Sequence, residues 1–227
     1  SRFNCYNLLC RTTKHKYFLH IFASFFKQGK LRRSQVLTCD SPLGLYKPTS
    51  KPFTPEGWQC LDATFYEENG KRYSFFCHEW VQIHDGEICV GELNNDLTEL
   101  SNIKVLFKAS DAKWPVCFYC GGSDIKNYVT DGPFIYKTSK GRLIMLWSSN
   151  SSKGYAIGMA YSDDGVYGVW KQVDEPLFAN EGGHGMIFEF KGKKYLIIHT
   201  DNSSSTHERP LIKEIIEENN LIRFKEM

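Results

Sequence analysis

Asp131-Gly-Pro-Phe-Ile-Tyr-Lys-Thr-Ser-Lys-Gly-Arg-Leu-Ile-Met-Leu-Trp147 is the stretch on which the fold turns. A polar residue opens it. Phe134–Lys137 and Leu143–Trp147 are short apolar runs rich in strand-forming residues, and Thr138-Ser-Lys-Gly141 between them is a turn signal. Two more stretches repeat this order. They are Asp62-Ala-Thr-Phe-Tyr-Glu-Glu-Asn-Gly-Lys-Arg-Tyr-Ser-Phe-Phe76 and His184-Gly-Met-Ile-Phe-Glu-Phe-Lys-Gly-Lys-Lys-Tyr-Leu-Ile-Ile-His199. A weaker copy ends in Lys14-His-Lys-Tyr-Phe-Leu-His-Ile-Phe22. Cys39–Lys47 and Ser162–Lys171 repeat a second element about one strand later. Antiparallel units recurring every 50–70 residues or so are blades of a β-propeller.

The intervening sequence supports an all-β reading. Tyr73–Cys77, Ile88–Leu93, Tyr155–Tyr161, Met186–Phe190 and Tyr195–His199 read as strands bounded by Gly, Asn, Asp or Ser. Leu211–Asn219 is acidic enough to pass as a helix. Pro210 before it and Glu218-Asn-Asn220 at its end make it a strand and a hairpin tip.

The chain has 227 residues, 41% hydrophobic, 15% aromatic and 24% charged, with a net charge of +2. That fits one domain with a sizeable core, spanning 1–227, in which residues 1–13 match the strand pattern poorly. It excludes disorder and a disulfide-dense miniprotein. No basic block marks a nucleic-acid partner, and no run of about 18 apolar residues marks a membrane span. The chain begins at Ser1 and shows no signal peptide. The 8 cysteines lie mostly inside apolar runs and read as buried free thiols. Cys117-Phe-Tyr-Cys120 lacks the second ligand pair that a zinc site needs. Asn150-Ser-Ser and Asn202-Ser-Ser match glycosylation sequons but read as turns.

The innermost strands of a propeller line its central channel, so equivalent positions converge on the axis. Asp62, Asp131 and His184 open the three copies and become neighbours by this argument. Carboxylates in one channel suit general acid–base work, in which one group donates a proton while another accepts one.

Several segments carry a resemblance. They are Trp58-Gln-Cys-Leu-Asp62-Ala-Thr, Cys77-His-Glu-Trp-Val-Gln-Ile-His-Asp-Gly-Glu-Ile88, Val129-Thr-Asp131-Gly-Pro-Phe-Ile-Tyr and Gly182-Gly-His184-Gly-Met-Ile-Phe. In order and spacing they resemble glycoside hydrolase family 43, five-bladed propeller enzymes acting on arabinose- and xylose-containing glycans. The resemblance implies an inverting hydrolase of arabinose-, xylose- or galactose-containing polysaccharides, secreted or periplasmic. It implies a proton-donating role for Asp131, where the family pattern often reads Glu, with Glu79 as the alternative acid. Asp62 matches the family Asp that tunes the acid. His184 matches a histidine beside a central calcium ion reached largely through water. His78, Trp80, Trp147 and Arg209 are candidates for sugar binding, with Tyr119 a further stacking platform. The family's first blade, with its Arg-Asp-Pro-like base motif, has no counterpart here, so about four blades of five are expected. A carbohydrate-binding propeller without turnover is the alternative.

Overall fold

The computed structural model describes residues 4–13, 16–25, 31–41, 43–49, 51–118, 124–201 and 206–226, with side chains from residue 31 onward. Its strands form antiparallel sheets in chain order. The first holds β1 (Asn4–Thr13), β2 (Lys16–Phe25), β3 (Arg33–Cys39) and β4 (Lys47–Pro48). The second holds β5 (Cys60–Glu68), β6 (Lys71–His78), β7 (Glu87–Leu93) and β8 (Leu100–Lys108), with the short helix α1 (Trp80–Ile83) after β6. The third holds β9 (Asp131–Lys137), β10 (Leu143–Ser151), β11 (Gly154–Ser162) and β12 (Lys171–Gln172), with β13 (Phe178–Ala179) also pairing β11. The fourth holds β14 (Gly182–Phe190), β15 (Lys193–Thr200), β16 (Arg209–Glu218) and β17 (Leu221–Phe224). This is a five-bladed-type β-propeller with four blades among the described residues. Residues 4–13, which fit the strand pattern poorly in sequence, pair along β2 as β1. No helix of the described residues is long and apolar enough to cross a membrane.

Turn chemistry explains the tight hairpins. Asn69 and Gly70 have φ of 51° and 75°, and Asn219 and Asn220 have 52° and 61°. Consecutive left-handed residues are what a two-residue turn needs to match the twist of its strands. Ser162–Gly165 closes as a turn staple, with Ser162 Oγ donating to the Gly165 carbonyl at 2.9 Å.

The continuous apolar runs occur because the middle strands are buried on both faces. On β10, Leu143, Met145 and Trp147 point into the seam against the second blade, while Ile144 and Leu146 point into the seam against the fourth. On β6, Phe75 and Cys77 face the third blade and Phe76 faces the first. Successive side chains leave a strand on opposite sides, so a strand between two seams needs apolar residues at every position. The fourth sheet packs Leu196, Ile198, Ile215 and Ile222 into its seam with the third and leaves Phe190 and Ile212 exposed. Cys60, Cys77 and Cys89 are free and buried, as expected. Cys117 departs from that reading, since it is disulfide-bonded. Cys120, Tyr119 and Asn202 lie outside the described residues.

Candidate active site

Each inner strand breaks register near its start. On β1 the slip falls between Asn4 and Asn7. In the other three sheets the slips fall between Leu61 and Thr64 on β5, opposite Leu146 and Ser148 on β9, and between Gly183 and Met186 on β14, and it is these three that matter for the site. Each of the three holds a left-handed residue: Asp62 at φ 58°, Gly132 at 51° and His184 at 52°. A β-bulge of this kind re-aims side chains. The bulges correct the sequence alignment by one residue. Gly132, not Asp131, is the structural counterpart of Asp62 and His184, and Asp131 sits one position before the bulge.

The three bulges meet. The Gly132 N–H donates to Asp62 Oδ2 at 3.0 Å. The His184 ring covers Gly132 so closely that a Cβ there would lie 2.6 Å from it. His184 Nδ1 lies 3.9 Å from Asp62 Oδ2. The Tyr155 hydroxyl donates to Asp131 Oδ2 at 3.0 Å. Glu79 follows β6, is buried, and accepts from Arg32 at 3.1 Å through Oε2. Its Oε1 is buried with no hydrogen-bond partner among the described residues.

The carboxylates share one electrostatic problem. Burial pushes Asp62 up to about 7, against the pull of the Gly132 N–H and the Arg32 guanidinium. Burial and the negative charge of Asp62 push Asp131 up to about 6, against His184, Tyr155 and Arg32. Burial lifts Glu79 to about 7, with Arg32 opposing and the two aspartates assisting. Groups this strongly coupled titrate as a set, so the set holds a proton up to near neutrality. Burial pushes His184 down, and Asp131 opposes that.

The other expected site residues divide. His78 is buried and stacked on Trp58 at 4.2 Å, with Nδ1 at 3.1 Å from Glu87 and Nε2 at 3.1 Å from Gln82. Both ring nitrogens are used, so His78 supports the wall and offers nothing to a sugar. Trp147 is 0% exposed, tilted against Trp114 and Phe107, and therefore has no open face. These two correct the sequence reading. Trp80 is half-buried on α1 directly after Glu79, edge-on to Phe118 at 5.5 Å. Arg209 is exposed and lines an open cleft of about 350 Å³ with His184 and His199.

Sequence reasoning missed Arg32, Ser148 and Tyr155. Arg32 lies at the mouth of β3 with no motif around it. Tyr155 opens an apolar strand, where an aromatic reads as core. The only signal for it is that β10 and β11 turn back at the end of the blade where Asp131 sits.

The calcium ion that the resemblance implies takes six to eight oxygen ligands. His184 offers one nitrogen, and no group of three His, Cys, Asp or Glu among the described residues is placed to hold a metal. The described residues do not form a protein cage for calcium.

Comparison with known proteins bears on this geometry. The profile of Glycosyl hydrolases family 43 matches residues 7–218. An endo-arabinase from Bacteroides thetaiotaomicron is 38% identical, with a TM-score of 0.84 over 95% of this chain and 75% of that one. An endo-1,4-beta-xylanase from the same organism is 20% identical, with a TM-score of 0.77 over 100% of this chain and 76% of that one. An alpha-L-arabinofuranosidase from Lactobacillus brevis is 19% identical, with a TM-score of 0.68 over 94% and 73%. The last two show likeness of fold alone. No curated protein matches.

Proposed function

The chain belongs to glycosyl hydrolase family 43 and is a glycosidase, and we propose that it cleaves arabinan, or related arabinose-, xylose- or galactose-containing polysaccharides, by an inverting acid–base reaction. The observation that carries this reading is the trio of carboxyl groups near the meeting point of the inner strands, with Asp62 and Glu79 buried and Asp131 partly buried. Inverting cleavage needs a carboxylic acid that stays protonated near neutral pH. Burial and a neighbouring carboxylate supply that condition for Asp131. The similarity to an endo-arabinase supports taking arabinan as the first substrate to test.

In this reading Asp131 is the general acid. Its proton passes to the glycosidic oxygen as the bond to the anomeric carbon breaks, and the leaving sugar departs as an alcohol. Water adds to the opposite face of the anomeric carbon and gives its second proton to a general base. No described residue is assigned as that base. Asp62 tunes Asp131 and is held by the Gly132 N–H. Glu79, with one oxygen on Arg32 and the other unpartnered, is the alternative acid. In the same reading Trp80 and Arg209 contact the sugar.

The test is release of nitrophenol from aryl α-L-arabinofuranoside, β-D-xyloside and β-D-galactoside, together with reducing-end release from linear arabinan. Asp131→Asn is run beside the unaltered protein. Turnover that the substitution removes identifies the sugar and supports the acid assignment. Turnover that survives it moves the role to Glu79. A folded sample that binds arabinan without turnover supports the carbohydrate-binding reading, since loss of general base catalysis costs about 10²–10⁴-fold.

A further inference from the structure

Asp131 lies at the end of a chain of polar groups that runs from the His184 backbone through Ser148 and Tyr155. The His184 N–H donates to Ser148 Oγ at 2.8 Å. Burial and the charges of Asp131 and Asp62 push the Tyr155 hydroxyl well up, so it keeps its proton, with the neighbouring Ser148 hydroxyl opposing them. The Tyr155 hydroxyl donates to Asp131 Oδ2 at 3.0 Å. A backbone N–H can only donate, so Ser148 accepts from His184. Tyr155 keeps its proton and gives it to the carboxyl oxygen of Asp131 as a hydrogen bond. Tyr155 is itself fixed: its backbone N–H donates to Glu181 at 3.3 Å and its ring stacks on His199 at 5.4 Å.

Resting on the assignment of Asp131 as the acid, we propose that Tyr155 is a positioning residue. It holds Asp131 Oδ2 as an acceptor, so that the transferable proton resides on Oδ1. A carboxyl group with two equivalent oxygens splits its proton between two directions. One committed oxygen leaves a single direction for delivery, which is how a hydrogen bond remote from the substrate contributes to orientation. The charged and titratable groups around Asp131 are Asp62 on β5, Cys77 on β6, Glu79 after it, His184 on β14 and Arg32 before β3. None of them donates to Oδ2 among the hydrogen bonds of the described residues.

The test reads the tyrosine hydroxyl proton directly, by NMR of tyrosine-labelled protein, and needs no turnover. The unaltered protein is expected to show a slowly exchanging downfield hydroxyl resonance that Tyr155→Phe removes. At a pH well above about 6, where Asp131 is ionised, Asp131→Asn is expected to move it upfield, because an amide oxygen is a weaker acceptor than a carboxylate. Ser148→Ala is expected to shift it while leaving Tyr155 a donor. Thermal melts establish that each variant is folded; where Tyr155→Phe is not, the two flanking variants carry the assignment. No protected hydroxyl proton, or one indifferent to Asp131→Asn, overturns the chain. Nitrophenyl glycosides are run on the same samples. No turnover with the resonance behaving as expected counts against the hydrolase reading alone. Turnover with an indifferent resonance counts against the chain alone. In an active sample, Tyr155→Phe lowers kcat about tenfold with KM unchanged, the pattern of a lost transition-state interaction.

Discussion

The axis and the seams of this propeller treat the same side chain in opposite ways. At the axis, Asp62 and Glu79 are buried and Asp131 is partly buried, and the acidity of all three is weakened. In the seam between the third and fourth blades, Glu217 is also mostly covered. It accepts from the Ser139 N–H at 2.9 Å, the Ser139 hydroxyl at 2.6 Å, Lys194 at 3.0 Å and the Tyr136 hydroxyl. Burial lifts its carboxyl, but those donors outweigh burial and bring it down to about 2. The seam spends its polar groups on cohesion, and the axis withholds them. A carboxyl group left short of donors retains its proton, which is what an acid catalyst requires.

The largest expected effect lies in a seam. Trp147 is fully buried, with its indole N–H donating to Gln172 at 3.1 Å. Trp147→Ala removes that packing and leaves a cavity, at a cost of about 3–5 kcal/mol. Urea unfolding followed by fluorescence measures it. A loss below about 1 kcal/mol would mean that the seam relaxes around the gap and is less rigid than the axis.

Trp147 also shows where reading the sequence succeeds and stops. Strands such as Leu143–Trp147 and Ile88–Leu93 were legible because burial on both faces demands an unbroken apolar run. The same burial hides which aromatic faces a ligand, so Trp147 passed for a sugar platform although it is sealed in a seam. The convergence of Asp62, Asp131 and His184 was legible from repeat alignment. The one-residue offset at Gly132 was not, because a bulge changes the count of residues without changing their type. Arg32, just before β3, reaches Glu79, and Tyr155, on β11, reaches Asp131, and nothing local in sequence ties them to the site.

The second effect tests the axis through pH. The folded-state pKa of Asp62 is raised from 3.8 to about 7. A raised carboxyl contributes fully below its unfolded pKa and loses that contribution as pH rises through the folded value. Stability should therefore fall by roughly 2–4 kcal/mol between about pH 4 and pH 7, shared among the coupled carboxyls. Asp62→Asn should flatten this slope. Urea midpoints across that range decide it, and a slope equally steep in the variant would place the strain elsewhere.

Gly132→Ala separates backbone strain from crowding at the axis. It adds a Cβ at φ 51° and 2.6 Å from the His184 ring. The control is Gly70→Ala, at φ 75° with nothing within 4 Å. The control should cost about 1 kcal/mol from strain alone. The axial variant should cost about 1–3 kcal/mol and displace the His184 imidazole resonances. Equal costs with an undisturbed His184 would show that the three bulges do not bear on one another as closely as the geometry says.

The smallest effect completes the contrast, because its sign is reversed. Glu217 has its folded pKa lowered from 4.5 to about 2. A lowered carboxyl contributes fully above its unfolded pKa and loses that contribution as pH falls through the folded value. Glu217→Gln keeps the shape and removes the charge that Ser139, Tyr136 and Lys194 surround. It should cost about 1–2 kcal/mol at pH 7, discounted for the partial exposure of Lys194. That cost should shrink as pH approaches 2, since the unaltered carboxyl is by then protonating too. At the axis, Asp62→Asn should stabilise at pH 7 and be neutral near pH 4. If both variants instead shifted the urea midpoint in the same direction at pH 7, donor supply would not be what distinguishes seam from axis. The retained proton at Asp131 would then need another cause.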